Sequence, residues 1–479
     1  MTYSPFDVSH LERMGAWGRN TFSNNYVYRP STVSDIKQLL AFASHLKRPV
    51  VLRGSGCSYG DASLGKESLM LDCSRLCRIL AWNPDSGVIV CESGVTIAQI
   101  WQYCVGDGWW PPVVSGTMAP TLAGALAMNI HGKNNFVAGT IGDHVLELDV
   151  ILANGQLITC SRDLEPHLFR SIIGGFGVLG VITRVVLLMK RVYSGYMRIT
   201  PIYVQNLAHM FRLFDEHVDS SDYLVGWLDA FGTGEQLGRG QIHKANYLKD
   251  GEDKQPAKSL RVQAQNLPDN IFGIIPKSIL WRFLMPFVND HGMRLVNGAK
   301  VLASRLKDGV VHDESHAGFA FLLDYVPNWK LAYGKEGLIQ YQAFVPRGNA
   351  ESCFRQILKL CQQVGILPYL AVFKQHRTDE FFMTHAVEGF SLALDFKLTR
   401  KNRVAVWKLT KHLDEIVNAN GGRFYFAKDV TLTPDSLTAY LNEDRVHQFL
   451  RLKRYLDPNG LFRSDLFDRI FGEIWEQTV

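Results

Sequence analysis

The amino-acid sequence predicts an α+β protein with two domains. Before Tyr193, helical patterns alternate with short apolar strands, and after it the strands become longer and richer in aromatic side chains. The chain has 479 residues, of which 47% are hydrophobic and 20% charged, so it can bury a core in each of two domains. We therefore place a domain boundary after residue 193.

Helix and turn signals define the first region. Residues 31–47 and 96–104 each place apolar side chains on one face, and each begins near a threonine followed three residues later by Asp or Gln, the spacing of a capping box. Residues 145–160 alternate apolar and polar side chains around Asn154-Gly155, which predicts a β-hairpin. Further short strands are predicted at 49–52, 69–71, 88–90 and 181–189.

The second region is predicted to contain aromatic-rich strands at 223–228 and 338–344. Between them, residues 246–258 are charged and contain Pro and Gly, which indicates a mobile segment. Residues 267–288 combine prolines with bulky apolar side chains, and two interpretations stay open: a lid or core segment, or a surface that meets a lipid-like substrate or a bilayer face. The bulky residues of this segment are Phe272, Ile274, Ile275, Trp281, Phe283, Leu284 and Phe287.

The composition argues against several classes of protein. The formal net charge is only +5 and Lys and Arg form no long run, so a nucleic-acid partner is not expected. The eight cysteines are few for this length, and Cys73 and Cys77 have no second pair with which to complete a zinc site, so we expect reduced thiols and no metal. Residues 1–12 lack the basic and apolar parts of a signal peptide, and no apolar stretch reaches about 18 residues, so we expect a cytoplasmic protein without a membrane span.

A glycine-rich loop follows the predicted strand at 49–52. Residues 53–61 read Arg-Gly-Ser-Gly-Cys-Ser-Tyr-Gly-Asp, so their backbone N–H groups are little covered by side chains. Such groups can converge on one anion, which suits the pyrophosphate of a dinucleotide. The pattern is equally typical of a tight turn, and it is neither the GxGxxG of a nucleotide-binding helix nor a Walker motif.

A second run of small residues lies at 115–134. Small side chains at almost every position of its first part allow the backbone to approach a flat ligand closely. The run ends in His131-Gly132-Lys133-Asn134, and this grouping favours an active-site wall over a histidine with a purely structural role.

Together these motifs resemble the FAD-binding half of the vanillyl-alcohol-oxidase superfamily, whose FAD domain is of the PCMH type. Within that superfamily the resemblance is strongest to the decaprenylphosphoryl-β-D-ribose oxidases, the flavin subunits of an epimerase, and the sequence His-Gly-Lys-Asn at 131–134 is its most diagnostic part. The resemblance covers nearly the whole chain, through residues 174–182, 227, 340–342, 372–374, 421–429 and the tail 456–465.

The resemblance implies a two-domain flavoprotein. Residues 1–193 and 423–479 would together form a split PCMH-type FAD-binding domain, and residues 194–422 would form a substrate domain built on an antiparallel sheet. The implied reaction is FAD-dependent oxidation of a sugar hydroxyl, at C2 of a polyprenyl-phosphate-linked pentose (ribose), to a keto sugar. A separate NAD-dependent reductase would reduce that keto sugar to the epimer, a precursor of cell-wall polysaccharide.

The resemblance also implies the residues of the site. Five would be catalytic, with a lysine stabilising negative charge on the cofactor and polar groups orienting the alcohol; they are Lys428, His131, Tyr59, Gln342 and Lys374. The substrate would contact Lys133, Trp227, Tyr325, Gln340, Val372 and Lys374. The cofactor would be bound by Arg53, Gly54, Ser55, Gly56, Cys57, Ser58, Tyr59, Gly60, Ala62, Ser115, Gly116, Thr117, Leu122, Gly124, Ala125, Asn129, His131, Ile182, Tyr425 and Lys428.

Two departures from the family pattern bear on the ligands. Superfamily members that bind flavin covalently often have a histidine where this loop has Cys57, and the ribose oxidases have an arginine there, so noncovalent FAD is expected. Actinobacterial ribose oxidases carry a cysteine at the position of Ala393, so the pocket is expected to differ in shape, and the sugar and lipid carrier stay open. Lys374 and Lys428 each follow an apolar run, which fits either an inward-pointing or a solvated lysine.

Three functional hypotheses follow. The first is the oxidase of a polyprenyl-phosphate-linked pentose, the second is an aldonolactone or alditol oxidase with a similar Asp-Pro-x-Gly-x-Phe tail, and the third is a non-catalytic flavin-fold module. The joint presence of His-Gly-Lys-Asn at 131–134 and Ala-Lys-Asp at 427–429 favours the first. Its partners would be a lipid-linked sugar, the separate reductase and a membrane surface contacted peripherally.

Overall fold

The structure is a computed structural model that describes residues 8–268, 270–271 and 275–477. The strands are β1 (Leu11–Gly15), β2 (Phe22–Tyr28), β3 (Val50–Arg53), β4 (Leu69–Asp72), β5 (Ile79–Asn83), β6 (Val88–Glu92), β7 (Trp109–Trp110), β8 (Val145–Ile151), β9 (Leu157–Ser161), β10 (Val181–Leu188), β11 (Lys190–Arg191), β12 (Tyr196–Val204), β13 (Tyr223–Leu228), β14 (Gly240–Tyr247), β15 (Asn270–Ile271), β16 (Ile275–Pro276), β17 (His312–Ser315), β18 (Leu338–Pro346), β19 (Leu370–His376), β20 (Gly389–Lys397) and β21 (Arg423–Phe424). The α-helices are α1 (Val33–His45), α2 (Ile97–Cys104), α3 (Leu122–Ala127), α4 (Asn135–Ala138), α5 (Pro166–Ile172), α6 (Leu207–His217), α7 (Pro256–Ser259), α8 (Val262–Gln265), α9 (Leu280–Leu284), α10 (Asp290–Leu306), α11 (His316–Ala320), α12 (Arg347–Gln363), α13 (Arg403–Ala419), α14 (Pro434–Leu441), α15 (Glu443–Leu456) and α16 (Asp465–Gln477).

Two sheets form before residue 193. The first has the order β1-β2-β4-β3, with β4 parallel to β2 and β3, and β1 antiparallel to β2. The second has the order β5-β6-β10-β8-β9 and is antiparallel throughout. Helix α3, which packs against β10, begins at Thr121, whose side chain also contacts Gly54 at the end of β3. The two small-residue motifs of the sequence therefore lie side by side.

An eight-stranded antiparallel sheet follows, with the order β17-β12-β14-β13-β19-β20-β18-β21. Helices α12 and α13 pack against β20 and β18, and nearly every residue of these two strands is buried. Because side chains alternate between the faces of a strand, every second residue of β18, β19 and β20 points away from the helices. That second face supplies one wall of the cavity described below.

The C-terminal segment contacts both parts of the molecule. Near residue 462 the chain pairs with β3, because Val50 N donates to Leu461 O at 2.6 Å and Arg463 N donates to Val50 O at 3.0 Å. Its β21 adds to the eight-stranded sheet beside β18, and Phe471 of α16 stacks on Phe176 with the ring centroids 5.5 Å apart. These contacts hold residues 425–429 between the loop after β3 and the large sheet.

The α+β prediction is confirmed, and the local elements lie close to their sequence signals. The first capping box is formed, since Asp35 N donates to Thr32 Oγ1 at 3.1 Å, and the second is formed in the same way at the start of α2. Strands β8 and β9 form the predicted hairpin, with Gly155 in the left-handed region at φ 81°. The domain division at residues 193 and 422 stays a prediction.

The charged segment at 246–258, predicted to be mobile, is instead anchored. Asp253 accepts hydrogen bonds from Ser194 Oγ and from Ser259 Oγ, each 2.5 Å long. Ser259 is buried. The mobility prediction differs from the structure because one partner, Ser194, lies far away in the sequence and carries no local signal.

The segment 267–288 divides between core and surface. Phe272 and Ile274 lie outside the described residues. The Trp281 side chain on α9 packs against a buried cluster that contains Tyr59 and Val288. Four neighbouring bulky side chains are exposed, and we name them the apolar rim: Phe283 (59% exposed), Leu284, Met285 and Phe287 (45%).

The described residues contain no disulfide, and the thiols of all eight cysteines are free. Six are buried, whereas Cys57 is partly exposed and Cys77 is exposed. In the part of the chain that the structure describes, no helix has the length and apolar character needed to cross a bilayer.

Candidate active site

A cavity of about 650 Å³ lies between the loop after β3, helix α3 and the large sheet. One wall is a row of laterally paired residues on four adjacent strands, which point to the same face of the sheet; they are Trp227, Val372, Ala393 and Gln342. The facing wall is formed by residues 52–59 and 114–117. The cavity therefore joins the two small-residue motifs to the second region of the chain.

The glycine-rich loop folds tightly around the Arg53 side chain. The guanidinium donates to Gly15 O at 3.0 Å and to Ser63 Oγ at 3.2 Å. Gly56 has φ 63°, a conformation that favours glycine, and a Cβ there would lie 2.1 Å from Arg53 Nη2 unless the guanidinium moved. A Cβ on Gly54 would lie 2.1 Å from Thr121 Oγ1. The loop thus presents bare backbone to the cavity.

The segment 115–117 is fixed by a partly buried carboxylate that the sequence did not reveal. Asp324 accepts hydrogen bonds from Thr117 Oγ1 and from Met118 N, each 2.7 Å long. Leu323 N donates to Gly116 O at 3.0 Å. These bonds hold the Ser115–Thr117 backbone against the cavity with its small side chains inward.

Lys428 is brought to the loop by backbone contacts. Tyr59 N donates to Ala427 O at 2.8 Å, and a Cβ on Gly60 would lie 1.9 Å from Asp429 O. The Lys428 ammonium then lies 4.0 Å from the centroid of the Tyr59 ring, a cation–π contact. Gly60 does not line the cavity itself; it permits the approach that places Lys428 there.

Asp395 lies beside Lys428 and carries the opposite charge. It is buried on β20 and accepts a hydrogen bond from Gln340 Nε2, while its second carboxylate oxygen has no partner. Burial raises the pKa of Asp395, and burial lowers the pKa of Lys428, although the Asp395 charge opposes that second shift. Each group therefore supports the charge of the other in a region with little water.

His131 is packed among aromatic and histidine rings. Its Nε2 lies 3.3 Å from Gln342 Nε2, which also donates to Ser391 Oγ at 3.2 Å. Burial, followed by the charge of Lys374, holds the pKa of His131 well below its usual range, so the ring is neutral near pH 7. His131 Nδ1 is buried without a partner, so the neutral ring offers a polar atom at the cavity wall.

Two further lysines of the cavity are close to their neutral form. Burial, aided by Lys428 and Lys133, lowers the pKa of Lys374 to about 7. Burial likewise lowers the pKa of Lys133 to about 7, while its ammonium donates to Phe319 O. A lysine with such a pKa can exchange protons near neutral pH.

The structure brings most of the sequence-predicted site residues to this one cavity. Gly60, Leu122 and Asn129 do not line it. Leu122 is fully buried in the core. The predicted residues that line it are Arg53, Gly54, Ser55, Gly56, Cys57, Ser58, Tyr59, Ala62, Ser115, Gly116, Thr117, Gly124, Ala125, His131, Lys133, Ile182, Trp227, Tyr325, Gln340, Gln342, Val372, Lys374, Tyr425 and Lys428.

Asn129 shapes the chain between α3 and His131 instead. Its φ is 44°, in the left-handed region that Asn tolerates better than most residues. Its side chain accepts from Gly142 N at 3.0 Å and donates to Asp379 Oδ2 at 3.2 Å. Asn129 thereby turns the backbone so that His131 enters the cavity.

Sequence reasoning missed four polar residues of the site. Lys300 and His243 line the cavity, Asp324 fixes Thr117 and Asp395 supports Lys428. Asp395 could have been found, because it lies two residues after Ala393 on the same strand face. Lys300 could not, because it is one of several basic residues on a surface helix.

The residues present fit a dinucleotide cofactor. The loop at 53–59 offers bare backbone around Gly54 and Gly56, and none of the described residues that line the cavity is an Asp or Glu that would repel a pyrophosphate. Small residues at 115–117 and at the start of α3 leave room for a flat ring system. These segments are the ones that would hold FAD.

Comparison with known proteins supports this assignment. Residues 25–161 match the FAD binding domain family. Over 98% of its length the chain is 28% identical to decaprenylphosphoryl-β-D-ribose oxidase of Mycolicibacterium smegmatis, and it covers 99% of that protein. It is 24% identical over 78% of its length to an uncharacterised protein of Streptomyces coelicolor, covered entirely. It is 27% identical over 37% of its length to a putative D-arabinono-1,4-lactone oxidase of Neurospora crassa, of which it covers 32%. The predicted FAD cofactor is confirmed.

Proposed function

We propose that this chain, an FAD-dependent oxidoreductase acting on CH–OH groups, oxidises a lipid-linked sugar. The proposed substrate is a polyprenyl-phosphate-linked ribose, and the hydroxyl group that is oxidised is the one at C2. One observation carries the proposal: a single cavity joins the FAD-binding segments to Lys374, Lys428 and Gln342 on the other side. The similarity over nearly the whole chain to an oxidase of such a sugar supports the substrate class. The product is a keto sugar, which a separate NAD-dependent reductase would convert to the epimer.

When bound, FAD supplies a two-electron acceptor for the hydride of the carbinol C–H bond. Gln342 and His131 orient the alcohol, since the Gln342 amide is held by Ser391 and the His131 ring packs against aromatic and histidine rings. Side chains with so little freedom hold the hydroxyl in one direction, which favours the reaction through orientation.

Oxidation also releases the proton of the hydroxyl group, and Lys374 Nζ is the acceptor that we assign. With a pKa of about 7, a substantial fraction of Lys374 is neutral at neutral pH and can take this proton. Lys428 stays protonated to a higher pH than Lys374, because the Asp395 carboxylate stabilises its ammonium. It is therefore suited to balancing negative charge on the cofactor.

An aldonolactone or alditol oxidase is the alternative. The similarity to the putative lactone oxidase of Neurospora crassa favours it, but covers only 37% of the chain. The two candidates differ in where the carbonyl forms. A non-catalytic flavin-fold module fits less well, because it would have no use for buried lysines with pKa values near neutrality.

We expect FAD to be bound without a covalent link. Burial raises the pKa of the Cys57 thiol to about 11, so at neutral pH the nucleophilic thiolate is scarce. Acid precipitation of the purified protein should therefore release the flavin into the supernatant. Yellow colour that stays in the pellet after washing would show a covalent bond.

The apolar rim is proposed to meet the lipid or the bilayer from which it is drawn. Exposed Phe283 and Phe287 are costly in water unless something covers them. The double substitution Phe283→Ser and Phe287→Ser should raise the KM for a prenyl-linked sugar about 100-fold, because each Phe that the lipid buries contributes roughly 1.5 kcal/mol. FAD content and melting temperature should not change.

Trp281→Ser is the contrasting control for the rim, because Trp281 packs against the buried cluster beside Tyr59. This substitution should lower the melting temperature. If the rim variant also has a lowered melting temperature and its KM is unchanged, the rim is part of the core and the proposal of a lipid contact is wrong.

The position of the carbonyl tests the proposed function. The enzyme is incubated with a prenylphosphoryl ribose and an artificial electron acceptor, and the product is then reduced with sodium borodeuteride. Deuterium at C2 of a mixture of ribose and arabinose is the expected result. Deuterium at another carbon, or an aldonic acid as product, would contradict the C2 assignment.

A further inference from the structure

Basic side chains line the cavity without acidic ones beside them. Among the described residues, the lining contains five Lys or Arg side chains and no Asp or Glu. Arg53 already bonds to the Gly15 carbonyl and the Ser63 hydroxyl. Lys374 acts on His131, and Lys428 lies over the Tyr59 ring. The remaining two, Lys133 and Lys300, lie with His243 at the β13 side of the cavity. One dinucleotide pyrophosphate does not account for both groups.

Strands β13 and β14 form the wall of the cavity near Lys133 and Lys300. Tyr223, Val225 and Trp227 alternate along β13 and line the cavity, and His243 is paired laterally with Val225 on β14. From the helix α10 above them, the Lys300 ammonium lies 4.1 Å from the centroid of the Trp227 ring. The histidine and the lysine therefore face one space floored by an aromatic ring.

Lys133 lines the same part of the cavity from the loop after α3. Its backbone carbonyl accepts a hydrogen bond from Leu224 N of β13 at 3.1 Å, which fixes the loop to the sheet. Its ammonium lies 4.2 Å from the centroid of the Phe319 ring and donates to the Phe319 carbonyl, leaving further N–H groups for a ligand.

The positive charges of Lys133 and Lys300 repel a proton on His243, which is therefore neutral near pH 7. Burial, followed by the charges of Lys133 and Lys300, lowers the pKa of His243 to about 4. Burial lowers the pKa of Lys300 to about 8, although the residue as a whole is exposed. Among the described residues no carboxylate forms an ion pair with Lys133 or Lys300; Glu314 is close enough to act on Lys133 only at longer range. A bound anion would relieve this repulsion.

We propose that Lys300, His243 and Lys133 form a phosphate subsite, floored by Trp227, that binds the phosphodiester of the lipid-linked substrate. This inference rests on the proposed function and adds the group that distinguishes a phosphorylated substrate from a free sugar. With the phosphate held there, the sugar extends along the row Val372, Ala393 and Gln342 towards Lys374. Lys300 is a positioning residue, because it contacts the phosphate and not the reacting carbon.

The test compares Lys300→Gln with Lys307→Gln, an exposed lysine just beyond the same helix. Dissociation constants are measured for a farnesylphosphoryl ribose and for an uncharged alkyl riboside. We expect Lys300→Gln to weaken binding of the phosphorylated sugar about 10-fold or more, the size of a lost charge-assisted hydrogen bond, and to leave the riboside unchanged. Lys307→Gln should behave as the wild type. An equal loss for both ligands, or no loss for either, would overturn the subsite.

A second measurement separates this inference from the proposed function. Inorganic phosphate is titrated against the FAD-loaded protein and the melting temperature is followed. Phosphate should stabilise the wild type and the Lys307→Gln variant but not Lys300→Gln, whether or not any sugar reduces the flavin. Equal stabilisation of all three proteins would overturn the subsite, while failure of every sugar to reduce FAD would overturn only the proposed function.

Discussion

Replacing Lys428 with alanine is expected to leave FAD bound and to lower the rate of flavin reduction about 100-fold or more. The ammonium of Lys428 lies over the Tyr59 ring and beside buried Asp395, in a cavity with little competing water. The loss of one fixed charge at such a place is costly, because no solvent can replace it. Stopped-flow mixing with saturating substrate measures the rate directly.

Lys408→Ala provides the control, because Lys408 is exposed on α13 away from the cavity. This variant should keep the wild-type rate and FAD content. An unchanged reduction rate in Lys428→Ala would remove Lys428 from the mechanism. A variant that has lost its flavin would instead assign Lys428 to cofactor binding alone.

Replacing Arg469 with methionine is expected to destabilise the protein by about 3 kcal/mol or more and to weaken FAD binding. Arg469 of α16 bonds to both carboxylate oxygens of Asp61, at 2.8 and 2.9 Å, and to Asp429 at 2.9 Å. The Asp61 and Asp429 side chains are only 10% and 9% exposed. Without the guanidinium, two nearly buried carboxylates would repel each other at the ends of the glycine-rich loop and of the Lys428 segment.

The matched control is Arg463→Met, which removes an arginine from an ion pair whose partner, Asp468, is 48% exposed. Exposed pairs contribute about 1 kcal/mol or less, so this variant should melt close to the wild type. Thermal melting and the flavin content after gel filtration provide the two readouts. Equal melting temperatures for the two variants would show that Arg469 does not hold the two segments together.

The parts of the fold that could be predicted from the sequence depend on local signals. The capping box of α1 and the hairpin turn at Asn154-Gly155 are decided by residues close in sequence, so they are found where they were expected. The glycine-rich loop was recognisable for the same reason. The structure adds why its glycines are required: Gly54 contacts Thr121 and Gly60 contacts Asp429, both far along the chain.

The rest of the site depends on contacts that no local pattern encodes. Lys300 reaches Trp227 only because α10 crosses the sheet, and Asp324 reaches Thr117 across 207 residues of sequence. Trp281 and Phe283 share one hydrophobic segment, yet one packs inwards and the other is exposed. The side-chain directions on this short helix, which lies between two 3₁₀ turns, are fixed by tertiary packing, which composition does not reveal.

The central claim is that this cavity oxidises a phosphate-linked pentose with FAD as the acceptor. The most direct test mixes the purified protein anaerobically with one compound at a time and records the flavin absorbance. The four compounds are farnesylphosphoryl ribose, free ribose, an aldonolactone and an alditol. We expect rapid and complete loss of the oxidised-flavin absorbance with the phosphorylated ribose and slow or no loss with the other three. Rapid bleaching by the lactone or alditol without bleaching by the phosphorylated ribose, or no bleaching by any of the four, would contradict the claim.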